Sequence, residues 1–373
     1  MVLVCLESAS GQASRDELML ADGERLLGHL ERSDDKALTF KSEALGEITV
    51  EWSKVEQFHS ASEFAVVPKG IRFGRHEDTS KIPQGNVSVE HQSIHVTEGP
   101  AGSQNLAVGS TGYVIDEARF QKSLRRPGLF EGWNGTATAG VSLVLATQNN
   151  RTYTSAVAFT RAIPTEPWMD PENRTVLSFS SSYGELTAPG QPLSKTSILH
   201  ADAEWDEYFT RRLYSFVQAA FDHNFSQGLD LEQTYGTGLG WTVVKGDNEQ
   251  FDLKAELTYV NQRFQSSAQD QMLVGSVFSE GYDHVFKHGV MLREALSISP
   301  AWNNTRAYST TGNVLLTFPI SKRFSISLNA LDTFLNDPSP GFKKNSFQYT
   351  TGLTYAWPRH NQSAPERNGG PQP

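Results

Sequence analysis

The sequence predicts an all-β chain: an antiparallel transmembrane β-barrel of about 12 strands, preceded by a small β-rich, SH3-like module. Three observations predict it. Long segments alternate apolar and polar residues with a period of two, as in "FDLKAELTYVNQRF" (Phe251 to Phe264). These segments run to roughly 9 to 13 residues, where soluble strands average about 5 to 6. Tight turns on one side of the predicted barrel alternate with longer loops on the other.

The chain opens with "MVLVCLESASGQAS", a short apolar run followed by small residues. It reads as the end of an export signal lacking its charged start, so residues 1–14 are expected to be a signal remnant or disordered. Mature protein is expected to begin between Gly11 and Arg15. Cys5 is the only cysteine, which excludes a disulfide framework and a cysteine-built zinc site. Bulky Val4 before it argues against lipidation.

Residues 15–128 have the texture of the small module: short β segments broken by turns. "LADGERLLGHL" reads as a hairpin about Asp22-Gly23. The next segment supplies core candidates Leu38, Phe40, Ile48, Val50, Trp52 and Val55. "NVSVEHQSIHVTE" and "NLAVGSTGYVIDEARF" look like a second, fainter copy of the same pattern.

Residues 129–357 are the predicted barrel. Trp133, Val141, Leu143 and Leu145 share one face, opposite Asn134, Thr136, Thr138 and Ser142. The faces then continue through Tyr153, Val157 and Phe159; Leu177, Phe179 and Tyr183; Val217, Ala219, Phe221 and Phe225; and Leu231, Tyr235, Leu239, Trp241 and Val243. The strand beginning at Met272 is apolar on both parities and leaves its register open. Glu294, Arg161 and Asp332 fall on the apolar parity, the last two near strand ends where such charges cost least. Two turns break the length rule: "IPTEPWMDPEN" is long on the short side, and Asn149-Asn150 is tight on the long side.

Aromatics near the strand ends form an expected girdle: Trp133, Tyr153, Tyr183, Trp241, Tyr259, Tyr308, Phe318, Phe347, Tyr355 and Trp357. Such rings gather at lipid–water boundaries because the body is apolar and the tip hydrated. The opposite parity supplies the expected lumen lining: His200, Asp202, Glu204, Gln218, Asp222, Glu232, Asp252, Lys254 and Glu256. Unpaired in a dry core these charges are costly, while a wet interior hydrates them.

No stretch approaches the ~18 apolar residues of a spanning helix. Mean hydropathy of -0.42 fits a barrel as well as a soluble protein, because barrel strands are only half apolar. Net charge of -10 without a basic cluster argues against nucleic acid as a partner. His200, Asp202 and Glu204 stand two residues apart on one face, but read as polar lining without a metal. "GTGLG" lies within a strand and opens no helix, so it is no phosphate loop; its glycines make room or bend the wall. No cofactor and no catalytic set is expected. A lipid hydrolase using His200 or His223, or a soluble β-sandwich binding protein, is the alternative reading.

The chain resembles the bacterial salt-induced outer-membrane proteins, a β-barrel domain family of unknown function. "GWNGTATAGVSLVLATQNNRTYTSAVAF", "HADAEWDEYFTRRLYSFVQAAFDHNFSQGLDLEQTYGTGLGW" and "LTFPISKRFSISLNALDTFLNDPSPGFKKNSFQYTTGLTYAW" carry the resemblance, over roughly residues 130–357. The N-terminal segment is similar to the small β module often found before that barrel. The resemblance implies a Gram-negative outer-membrane location with the module in the periplasm, a structural or narrow-pore role, and a link to salt or osmotic response. Its partners are then outer-membrane lipid and, during biogenesis, the barrel-assembly machinery, with the barrel a monomer. Trp357 is followed by "PRHNQSAPERNGGPQP", so residues 358–373 are expected to be a disordered tail.

Overall fold

A computed structural model describes residues 15–357 apart from 72, 75–78, 99–101, 146–148, 165, 167, 188–191, 247 and 339. The expected signal remnant at 1–14 and tail at 358–373 lie outside the described residues. The chain divides into two compact units. Of the described residues, the first holds those up to Arg126 together with those of Glu166–Asp170; the second holds those from Pro127 to Pro164 and from Pro171 to Trp357.

The N-terminal unit contains strands β1 (Asp16–Leu20), β2 (Arg25–Ser33), β3 (Ala37–Ser42), β4 (Gly46–Glu51), β5 (Val55–Pro68), β6 (Gln84–Glu90), β7 (Ser93–Glu98), β8 (Gly102–Ala107) and β9 (Thr111–Asp116). The α-helix α1 (Glu117–Ser123), about two turns long, follows; the Asp116 side chain caps it by accepting from Arg119 N at 3.0 Å. The sheet order is β4-β3-β2-β1-β5-β6-β7-β8, with β9 added on β5. Strand β5 serves twice: its first half pairs with β1 (Leu18↔Phe58) and its second with β9 (Val66↔Val114). On each side of β5 the chain runs through a three-strand meander followed by a 3₁₀ turn (Trp52–Lys54, then Val108–Ser110) and a closing strand. One nine-stranded sheet thus carries the same order twice about a shared strand.

Alternation in these strands builds one core from Leu18, Phe40, Phe58, Phe64, Val89 and Ile94, with Phe58 and Phe64 edge-on at 6.3 Å. Of the core candidates, Leu38, Phe40, Val50, Trp52 and Val55 are buried, and Ile48 is half-buried against them. Buried Asp16 sits among them without strain, because it accepts from Leu30 N (2.7 Å) and Ser60 Oγ. A second core joins Phe73, Ile115 and Phe120 to Trp168 and Met169. The Arg119 guanidinium lies 5.0 Å from the Trp168 ring and 3.1 Å from Glu166. The unexpectedly long "IPTEPWMDPEN" turn is therefore long for a packing reason: its middle belongs to this core.

The second unit is a closed barrel of twelve antiparallel strands. They are β10 (Trp133–Leu145), β11 (Asn149–Ile163), β12 (Asn173–Thr187), β13 (Ser194–Tyr208), β14 (Leu213–Asn224), β15 (Leu229–Lys245), β16 (Glu249–Phe264), β17 (Gln271–Val285), β18 (Met291–Pro300), β19 (Tyr308–Pro319), β20 (Phe324–Leu335) and β21 (Asn345–Trp357). Each pairs with its neighbour, and β10 closes on β21 through Gly135↔Trp357 to Ala139↔Leu353. Closure removes the sheet edges that a membrane forbids. With an even strand count, β10 begins and β21 ends at one rim, called here the starting rim; the other is the far rim.

Four details differ from the sequence reading. The strands run from 10 (β18) to 17 (β15) residues, longer than the alternating segments, because pairing continues past the apolar stretch into polar ends. Asn149 and Asn150 do not form a turn; they open β11 opposite Leu145 and Val144, and residues 146–148 lie outside the described residues. A bulge after Thr242 breaks the predicted face, so Val244, not Val243, pairs with Phe251. The open register of β17 resolves with Met272, Val274 and Phe278 exposed.

Candidate functional site

On β16 the residues Leu253, Leu257 and Tyr259 are exposed to the outside, whereas Glu256, Thr258 and Gln262 are buried on the inside. The pairing registers carry this division round the ring. The outward side is a continuous apolar surface including Val217, Leu239, Leu257, Phe278, Ile298, Ile326 and Leu353. Its aromatics lie in two rows. Trp133, Trp241, Phe318, Tyr355 and Trp357 lie toward the starting rim; Tyr153, Tyr183, Tyr259, Tyr308 and Phe347 lie toward the far rim. Trp205 and Phe324 belong to the first row and Tyr349 to the second, although the sequence reading did not include them. From Phe251 to Tyr259 is eight positions and from Phe347 to Trp357 ten. At ~3.3 Å per residue and ~45° tilt the rows stand about 19 to 23 Å apart, close to the height of an outer-membrane apolar band. Some of their polar tips find partners: Trp133 Nε1 donates to Leu129 O (2.9 Å) and Tyr183 Oη to Glu185 (2.6 Å). This is a membrane-spanning barrel.

Three of the charges on the outward parity lie within three positions of a strand end. Arg161, at the starting rim, donates to the carbonyls of Gly128 (2.8 Å), Glu131 (2.9 Å) and Pro127 (3.3 Å), so it meets backbone oxygens and not hydrocarbon. Glu294 pairs with Tyr282 and Val314 on the outward side, three positions into β18. Asp332 pairs with Gly312 and Phe347, three positions from the end of β20.

The inward side is polar and concentrates its charge on the wall from β12 to β16. His200 Nδ1 lies 2.7 Å from Asp222 and its Nε2 lies 3.2 Å from Asp202, which also accepts from Ser178 Oγ. One strand pair along, Lys254 Nζ donates to both oxygens of Glu204 at 2.5 Å. Glu232 accepts from Gln262 (2.6 Å), and Asp252 accepts from Thr242 and Gln250 (both 2.5 Å). Gln218 faces Glu204 across the β13–β14 pair. All nine residues expected to line the interior thus share its inward parity. The opposite wall carries neutral polar groups, such as Thr138, Thr354 and Ser327, linked hydroxyl to hydroxyl at 2.8 and 3.0 Å.

Residues missed in the sequence complete the charged wall. Arg174 Nε donates to Asp206 at 2.5 Å and its guanidinium stands 5.3 Å from the Tyr214 ring. Lys254 Nζ stands 5.0 Å from the Phe216 ring, and Tyr208 and Tyr214 pack at 5.0 Å. Of these aromatics, Tyr214 and Phe216 point inward on the parity that β14 was expected to fill with polar side chains. The sequence held one signal of them, the glycines of "GTGLG". A Cβ at Gly240 would lie 2.2 Å from the Tyr214 ring, at Gly238 2.9 Å from Phe216 Cζ, and at Gly236 1.6 Å from Glu256 Oε1. The glycine row on β15 is the floor across which side chains from β14 and β16 lie.

The far mouth is bridged. The β14–β15 turn and the β20–β21 loop stand six strands apart on a ring of twelve, hence on opposite sides. Yet Gln227, in that turn, donates to Lys344 O (3.0 Å) and Thr333 O (3.2 Å). Below it Leu229, Phe264 and Leu335 form a small apolar cluster.

The interior chemistry is electrostatic. Ser178 donates to Asp202 and not to His200, and His223 faces outward with Nδ1 2.7 Å from Asp230 O. Among the described residues, no group of three His, Cys, Asp or Glu is arranged to hold a metal ion.

A family profile described as "Protein of unknown function, DUF481" matches residues 137–357. No curated protein matches the chain. Solved structures similar to it include the KdgM porin in complex with disordered oligogalacturonate: 11% identity, 60% of this chain and 99% of that one, TM-score 0.34. The NanC porin follows with 7% identity, 59% and 98% coverage and TM-score 0.37. An outer-membrane channel from Pseudomonas putida F1 shows 10% identity, 62% and 100% coverage and TM-score 0.36. At these TM-scores no pore, ligand or strand count carries over from them.

Proposed function

The chain belongs to the DUF481 family of unknown function, and we propose that it forms a narrow, water-containing pore in the bacterial outer membrane. One observation carries the reading: an apolar exterior between two aromatic rows encloses an interior of paired charges and linked hydroxyls. A barrel serving only as a membrane anchor has no need of so many ionisable groups inside, whereas hydrated solutes need such a lining. Twelve strands leave a small interior, and the Gln227 bridge narrows it at the far mouth.

The starting rim is proposed to face the periplasm. Both chain ends of the barrel lie there, and four of its five turns hold three to five residues. At the far rim the connections reach seven and nine residues after β18 and β20, the asymmetry usual for such barrels. The N-terminal unit is then periplasmic, the barrel is a monomer delivered by the barrel-assembly machinery, and catalysis is no part of its role. The link to salt or osmotic stress implied by the family resemblance belongs to the same reading, and protein abundance across external NaCl concentrations tests it.

Purified full-length protein in planar lipid bilayers is expected to give discrete conductance steps. A bilayer that stays silent while the protein keeps its heat-sensitive gel mobility, as a folded barrel does, refutes the pore.

A further inference from the structure

We propose that Glu256 forms a cation-attracting site in the lumen and makes the pore prefer small cations to anions, an inference that rests on the pore reading. The neighbouring inward carboxylates have donors: Glu204 holds Lys254, Asp206 holds Arg174, and Asp202 and Asp222 share His200. Glu256 is different. It is 7% exposed, makes no hydrogen bond or ion pair among the described residues, and its Oε1 is buried without a partner there. Lys254, two residues away, is committed to both oxygens of Glu204.

The backbone makes room for this carboxylate. It lies over Gly236, where any Cβ would overlap Oε1 at 1.6 Å. Across the strand pair it meets Gly238 on one side and Val277 on the other, neither of which offers a side-chain donor. A shielded carboxylate without a donor is costly until a cation reaches it. Among the described inward residues carboxylates also outnumber arginines and lysines, so the surrounding field has the same sign. The ligand class is a small monovalent cation, since among the described residues no three acidic or imidazole groups converge to hold a multivalent ion.

The test is the reversal potential across a bilayer separating high from low KCl, with full-length protein. Wild type is expected to favour K⁺. A unit charge ~6 Å from the ion path, in a water-like medium, separates cation from anion by roughly tenfold. Glu256→Gln should therefore lower the K⁺ to Cl⁻ permeability ratio about tenfold, and Glu256→Lys should invert it. Gly236→Ala keeps the charge count but displaces the carboxylate, and should lower the ratio as well. Glu207→Gln, on the outward side, should change nothing. Conducting channels in which Glu256→Gln and Gly236→Ala both keep the wild-type ratio overturn this inference and leave the pore standing; absence of conductance in wild type removes the pore and the inference with it.

Discussion

Leu257 and Leu45 are almost equally exposed, at 57% and 60% of their surface, yet they should respond oppositely to the same change. Leu45 lies in the turn between β3 and β4 of the N-terminal unit, where an arginine meets water. Leu257 lies on the outward face of β16, eight positions into a 16-residue strand. At ~3.3 Å per residue and ~45° tilt, that is about 19 Å from one strand end and about 16 Å from the other, near the bilayer midplane. Arginine there costs about 2 to 4 kcal/mol, roughly two decades in the folded-to-unfolded ratio at the middle of that range. Leu45→Arg should stay within about 0.5 kcal/mol of wild type, as surface changes do. Ile326→Arg, outward but only two positions into β20, should cost about 0 to 1 kcal/mol. Guanidinium unfolding in lipid vesicles, followed by tryptophan fluorescence, measures all three. Equal midpoints for Leu257→Arg and Leu45→Arg would refute the assignment of that face to lipid.

Four further outcomes are expected. Gln227→Ala removes both hydrogen bonds that its Nε2 makes across the far mouth and should raise single-channel conductance, so unchanged current steps would mean the Gln227 bridge does not limit flow. Gly240→Val brings a Cβ within 2.2 Å of the buried Tyr214 ring and should cost about 1 to 3 kcal/mol in vesicle unfolding. Gly281→Ala, with only a carbonyl oxygen at 4.0 Å, should be tolerated. In the N-terminal unit, a hydrogen bond with Glu63, then burial, raises the Glu117 carboxyl above its usual range. The folded state therefore holds that proton more tightly, a stabilisation present at acid pH and lost as pH rises through the raised value. Glu117→Gln should protect α1 from hydrogen exchange at pH 8 at least as well as wild type does, with the difference disappearing near pH 4. A less protected variant at pH 8 would contradict the sign.

The barrel was legible because one rule repeats. A side chain such as Leu257 must face lipid and its neighbour Glu256 must not, and period two writes that constraint into every strand. The strand count followed by counting the repeats. What stayed hidden breaks the rule locally. The bulge after Thr242 shifts parity by one residue without changing composition. Tyr214 and Phe216 are apolar on the polar side because Gly240 and Gly238, a strand away, leave space for them. Gln227 bridges to a loop more than a hundred residues later, a pairing no local pattern announces. The same holds for Trp168: in sequence it is part of an overlong turn, and only the fold places it in a second core with Phe120. Charges paired on one wall could be assigned a side, but not a partner, until the registers of β13 to β16 were known.

Nitroxide labels placed one at a time from Phe251 to Val260 in β16, after removal of Cys5, probe the dividing line between lipid and lumen most directly. In vesicles, oxygen collisions should peak at every odd position from Phe251 to Tyr259, while a water-soluble nickel reagent should prefer the even ones. A flat oxygen profile along the strand, or one whose maxima fall on Asp252, Lys254 and Glu256, would contradict it.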